Sequence, residues 1–174
     1  MPTCRRRMCR DGLAGSEARV RVIRALVMSS SAGKLTSVED LLREARAGLT
    51  RLSPAAAEEA QRRGAVLIDI RADDHRRRDG QIPQAVHVPR NGLEWRCDPS
   101  SPHRVEAISR RDQPLVLICD EGYQSSLAAA TLNRFGLQCT DVVGGFQAWR
   151  AAGLPVATSR TGAVPPDAGR TPDR

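Results

Sequence analysis

PLVLICDEGYQSSLAAA, residues 114–130, decides how this chain folds. Leu115, Val116, Leu117 and Ile118 form an unbroken apolar run, the pattern of a central parallel strand covered by helices on both faces. Cys119 stands where the run stops. Asp120, Glu121 and Gly122 favour neither helix nor strand, and Gln124, Ser125 and Ser126 lead into LAAATLNRF, whose apolar positions recur at helical spacing. The sulfur is thus expected in a turn at the foot of a helix. There, unpaired backbone N–H groups and the aligned peptide dipoles favour the thiolate over the thiol, giving a nucleophile that needs no histidine. Gly122 permits a positive φ and a close approach of amides around a sulfur or an anion. The plain alternative is that Cys119 is a small buried hydrophobe ending a strand.

Outward from this stretch, strands and helices alternate. Thr36 or Ser37 with Glu39 and Asp40 caps a helix over 38–47 that presents Leu41, Leu42 and Ala45 and ends at Gly48. Leu49 to Leu52 suits a short edge strand. Ser53-Pro54 opens a second helix that runs to Gly64. Val66 to Ile70 is a strand with Asp69 and Arg71 at its carboxyl end, and 72–79 is a short polar helix. Ala85 to Val88 is the next strand. SSPHRVEAISRRD (100–112) reads as a capped helix. Leu137 to Val143 returns to the sheet with Asp141-Val142-Val143 as the last strand, and Gly144-Gly145 turns into FQAWRAAG, where Phe146 and Trp149 share a core-facing side. The fold class is α/β, a parallel, doubly wound sheet of about five strands with its site at their carboxyl ends. The expected organisation is a disordered basic head (1–33), one domain (34–156) and a disordered tail (157–174). Met28 is an alternative start of translation.

Composition narrows the function. Of 174 residues 40% are hydrophobic but only 3% aromatic, so the core rests on Leu, Val, Ile and Ala. The net charge is +7. Residues 1–27 carry seven arginines against Asp11 and Glu17, and 154–174 carry three against Asp167 and Asp173, which leaves only +1 for residues 28–153. A basic surface for nucleic acid is therefore not expected on the domain. Five cysteines, with no C-x-x-C, fit neither a disulfide scaffold nor a zinc site, and no apolar run is long enough to span a membrane. A reducing cytoplasm is the expected compartment.

CDEGYQSS resembles the active-site loop of the rhodanese-like sulfurtransferases: a cysteine, two variable residues, often glycine, one more, commonly arginine, then serine or threonine. VLIDIR (66–71), DGQIPQAVHVP (79–89) and DVVGGFQAWRAAGLPV (141–156) agree with the family in order and spacing, so the resemblance covers about residues 50–156. It implies a single rhodanese domain that needs no cofactor. In it the Cys119 thiolate takes the outer sulfur of a donor, holds it as a persulfide and passes it to a thiol acceptor. Loop amides from Glu121 to Ser126 would stabilise the charge on sulfur, and Ser125 would add a donor or cap the helix. Asp120, Glu121, Gly122, Tyr123, Gln124 and Ser125 would then meet the substrate. Arg71 has in the family a structural role beside Asp69 or a place near the site. PRNGLEWRCDP (89–99) is similar to a loop of some bacterial members, in which Trp95 would wall the pocket or plug the loop, and Arg90 or Arg96 would meet an anion or stay at the surface.

The departures point to substrate. Gln124 stands where many members have arginine, and Asp120 and Glu121 add negative charge, so weak use of thiosulfate is expected. Gln81 and Gln84 replace a common histidine and glycine, which implies altered local geometry at Gln84. A C-x5-R phosphatase would need arginine at Ser125. The remaining alternative is a non-catalytic rhodanese module used for binding or regulation. Cys97 and Cys139 are read as resolving thiols or packing residues.

Overall fold

The computed structural model describes residues 37–158; the expected head, the alternative start at Met28 and nearly all of the expected tail lie outside them. Among the described residues six helices and four strands follow one another: α1 (Val38–Ala47), α2 (Pro54–Arg62), β1 (Val66–Asp69), α3 (Asp73–Asp79), β2 (Val86–His87), a 3-10 turn (Arg90–Gly92), α4 (Leu93–Cys97), β3 (Pro114–Ile118), α5 (Gln124–Arg134), β4 (Gln138–Asp141) and α6 (Gly145–Ala151). The strands are all parallel, in the order β2-β1-β3-β4. The capping residues act as the sequence suggests: the Ser37 side chain accepts from the Asp40 amide, and that of Ser53 from the Ala56 amide, with Pro54 in the first turn of α2.

Period-two alternation along β3 divides the core between two faces. Leu115 and Leu117 face α5 with Ile68, Leu93, Ala128, Ala129 and Leu132. Val116 and Ile118 face α2 and α6 with Leu67, Ala57, Val142, Phe146 and Trp149. Two such layers require helices on both sides of the sheet, and α1 lies outermost, packed on α5. Among the described residues no helix is long and apolar enough to cross a membrane.

Three details differ from the sequence reading. The segment Leu49–Leu52 makes one parallel bridge, Leu52 to Val142, rather than a fifth strand. Its two hydrogen bonds, Leu52 N–H to Asp141 C=O and Leu52 C=O from Val143 N–H, anchor the chain at the sheet edge without continuing along it. The last strand is Gln138–Asp141, because Val142 and Val143 already bend toward the Gly144–Gly145 turn, where both glycines take positive φ. Residues 100–112 form turns, not a helix. Val105 and Ile108 are buried at a spacing that mimics a helical face, but Val105 N–H donates back to Arg96 C=O and Ile108 N–H to Val105 C=O. Pro102 offers no N–H to a helical ladder. Gln84 takes φ 62, the one positive value at a non-glycine among the described residues.

Candidate active site

Three parallel strands end together at the site. Asp69 pairs in register with Ile118, and Leu117 with Asp141, so Arg71, Cys119 and Asp141 gather at the carboxyl edge of the sheet. The loop after β3 is fastened from behind by the start of α6: Phe146 N–H donates to Cys119 C=O at 2.9 Å and Gln147 N–H to Asp120 C=O at 3.0 Å. A Cβ on Gly145 would lie 2.6 Å from both of those carbonyl oxygens, so only glycine allows this approach.

Cys119 is 3% exposed. Its sulfur accepts from Gly122 N–H at 3.1 Å and lies 3.3 Å from Ser125 Oγ. Of the loop amides, Gly122 reaches the sulfur itself. Among the described residues, no backbone carbonyl accepts from the amides of Tyr123, Gln124, Ser125 or Ser126, which leaves them available at the N-terminus of the eleven-residue α5. Ser125 does not cap that helix. It is buried, and its hydroxyl donates to Asp141 Oδ2 at 3.1 Å.

Asp141 organises what lies behind the cysteine. Arg51 meets it through two N–H groups, Nε to Oδ1 at 2.8 Å and Nη2 to Oδ2 at 3.0 Å, a bidentate fork on a fully buried carboxylate. Ser126 Oγ lies 2.8 Å from Asp141 Oδ2 and 2.9 Å from Gly122 C=O. Arg46, from the last turn of α1, donates through Nε to Ser126 Oγ at 3.1 Å and through Nη2 to Gly122 C=O at 2.9 Å. Arg51 Nη2 reaches the same carbonyl at 3.1 Å. Ser126 has a single proton to share between Gly122 C=O and Asp141 Oδ2. Sequence reading missed Arg46, Arg51, Ser126 and Asp141. An acid closing a strand was the only local hint, since the two arginines stand 71 to 90 residues from their partners.

The remaining candidates divide. Asp120 is half-buried with Oδ1 accepting from Gln147 Nε2 at 2.9 Å, while Glu121, Tyr123 and Gln124 are exposed around the loop. The Tyr123 ring lies under the Arg46 guanidinium, 5.6 Å away, and borders an open hollow of about 680 Å³ shared with Leu42, Arg43 and Arg46. Arg71 is buried. It forks onto Asp69, donates to Gly80 C=O and stacks 3.5 Å over Phe146, a brace beneath the site rather than a group facing a substrate.

Trp95 and Arg96 are not brought to the cysteine. Trp95 is 63% exposed and lines a separate hollow with Asp98, Pro102 and Phe135. Phe135 caps the far end of α5, about 16 Å along the axis from the loop. Arg96 is exposed on the same short helix, and Arg90 pairs with Glu94. The loop that resembled a pocket wall folds as α4, which buries Leu93 and Cys97 and turns Trp95 and Arg96 outward.

Cys97 and Cys139 are buried in the α5-side core, and burial pushes both thiols up to about 12. Cys139 pairs with Leu115, four residues back along β3 from Cys119 and so about 13 Å away, too far for a disulfide without unfolding. Cys139 is therefore a packing residue, and Cys97 is packed in the same core layer. No group of three or more His, Cys, Asp or Glu suited to a metal occurs among the described residues.

A family profile, the rhodanese-like domain, matches residues 53–152. The thiosulfate sulfurtransferase GlpE of Pseudomonas savastanoi pv. phaseolicola is 35% identical over 104 residues, 58% of this chain and 87% of its own length. The same-named protein of Stutzerimonas stutzeri is 33% identical over 101 residues, 58% and 84% of the two chains. Among solved structures, a Rhodopseudomonas palustris protein of unknown function, described as a possible tyrosine phosphatase, gives a TM-score of 0.64 at 32% identity, over 74% of this chain and 99% of that one. The polysulfide-sulfur transferase homodimer of Wolinella succinogenes gives 0.56 at 25% identity, over 68% and 85%.

Proposed function

This chain belongs to the rhodanese-like domain family, and from that premise we propose that it is a sulfurtransferase carrying sulfane sulfur as a persulfide on Cys119. The Cys119 thiolate attacks the outer sulfur of a donor. A new S–S bond forms, the bond to the donor's remaining atom breaks, and the leaving group departs with the electron pair, as sulfite from thiosulfate or as a thiolate from a small or protein persulfide. An acceptor thiolate then attacks the outer sulfur, and the pair returns to Cys119. Splitting the transfer into two displacements implies ping-pong kinetics.

The observation that carries this reading is the sulfur's setting. Gly122 N–H donates to the atom itself, Ser125 Oγ packs 3.3 Å from it with its proton given to Asp141, and the first-turn amides of α5 that no backbone carbonyl takes up would serve an anionic outer sulfur as donors fixed in advance. Free Cys97, Cys119 and Cys139 suit a reducing compartment.

Thiosulfate is proposed as a poor donor although relatives bear its name. The loop offers Gln124 in place of a cation, Glu121 is exposed beside it, and the nearby guanidinium groups of Arg46 and Arg51 are engaged with the loop carbonyl. A missing charge-assisted contact on a dianion costs about 1–3 kcal/mol. Phosphatase chemistry lacks its fork, since the position that would carry the arginine holds buried Ser125.

The test is intact-protein mass spectrometry after incubation with thiosulfate, glutathione persulfide or a persulfidated protein. One added sulfur on Cys119, absent in Cys119→Ser and appearing faster with persulfides than with thiosulfate, is the expected result. No adduct with any donor would leave a binding or regulatory module as the better description.

A further inference from the structure

The cysteine loop contains a weakness that its chemistry cannot tolerate. Gly122 has φ +80, and a Cβ there would lie 2.8 Å from Gly144 N and 3.0 Å from Val142 C=O, so the position demands glycine. Glycine also leaves the following peptide plane free to rotate. If the Gly122–Tyr123 peptide turned over, its carbonyl oxygen would face the region that must receive negative charge.

We propose that Arg46 and Arg51 are positioning residues that hold this peptide in the charge-receiving orientation. Both guanidinium groups donate to Gly122 C=O, at 2.9 and 3.1 Å, and Ser126 Oγ, itself held by Arg46 Nε, lies 2.9 Å from the same oxygen. No cis peptide bond occurs among the described residues, so the Tyr123 N–H on the same peptide points opposite to that carbonyl, away from the arginines. Among the described residues no backbone carbonyl accepts from it. Two cations on the oxygen also polarise the peptide and strengthen its N–H as a donor. The arginines thus act through the loop rather than by touching the substrate.

Each arginine is itself held. Arg51 is fixed by its fork onto buried Asp141. Arg46 is fixed by Ser126 Oγ and by the Tyr123 ring beneath it. Both lie N-terminal to the family-matched residues 53–152, on α1 and the segment after it.

The inference rests on the sulfur-transfer reading for its kinetic consequence, but its geometric core is tested separately. Among the described residues Arg46 has no carboxylate partner, so Arg46→Met removes one donor to the carbonyl without stranding a charge; Arg46→Gln replaces it should the Met variant not fold. The saturating rate of sulfur loading on Cys119 is expected to fall about tenfold, the equivalent of one hydrogen bond, while the half-saturating donor concentration changes less than about threefold. Arg46→Lys, which keeps one N–H within reach, should recover most of the rate. The Tyr123 amide nitrogen resonance should move in Arg46→Met, because a hydrogen bond to a carbonyl deshields the nitrogen of its own peptide. Loading at the wild-type rate with Tyr123 unmoved would overturn the proposal. So would a loss confined to donor affinity, which would make Arg46 a substrate contact. Should the wild type take up no sulfur from any donor, the sulfur-transfer reading fails and the Tyr123 resonance alone decides the clamp: movement supports it and constancy overturns it.

Discussion

Asp141 receives more than any other side chain in the site: two N–H groups of Arg51 and the hydroxyls of Ser125 and Ser126. Asp141→Ala would strand a largely buried guanidinium and leave two buried hydroxyls without an acceptor, so the expected loss of stability is about 2–4 kcal/mol. Urea unfolding measures it, and a loss below about 1 kcal/mol would mean that solvent replaces the pairing. Single residues were legible in the sequence where their role is local. That Cys119, Gly122 and Ser125 lie together follows from the sequence because strand end, turn and helix start are contiguous. Arg46, Arg51 and Asp141 were not, because nothing in local spacing says which arginine of a chain with 26 will meet an acid at a strand end. Trp95 failed for the converse reason. Its neighbours matched a familiar loop, but which side of a five-residue helix faces the core is settled by Leu93 and Cys97.

At the scale of elements, helices and strands with strong periodicity were found nearly to the residue, α1 at 38–47 among them. The misreading of 100–112 arose because two buried residues three apart satisfy a turn as well as a helix, and only the donation of Val105 N–H to Arg96 distinguishes them. The turn before β2 yields a prediction. Gln84 adopts φ 62, a conformation that costs a side-chain-bearing residue about 1–2 kcal/mol, against roughly 0.5–1 kcal/mol for the extra unfolded-state freedom of glycine. Gln84→Gly should therefore stabilise the fold by up to about 1 kcal/mol and raise the melting temperature by a few degrees. A lower melting temperature would mean that the Gln84 side chain contributes more than its backbone loses.

Across the whole molecule, two thiols buried in one core layer link stability to alkalinity. Cys97 and Cys139 keep their protons to about 12 when folded, whereas unfolded thiols release theirs near pH 8.5. Above about pH 8.5 the unfolded chain therefore binds fewer protons than the folded one, and stability falls as pH rises toward 12. Thermal melts across that range should decline less steeply for Cys97→Ala/Cys139→Ala than for the wild type, and parallel slopes would refute the linkage. The sulfur's surroundings also have a long-range origin, since they draw on Arg46, Arg51, Asp141 and Gln147 as well as on the loop itself. A nascent chain leaving the ribosome has no such surroundings until Gln147 has emerged. Until then Cys119 lacks the groups that enclose it, and its setting is completed last, when nearly all of residues 37–158 have been made.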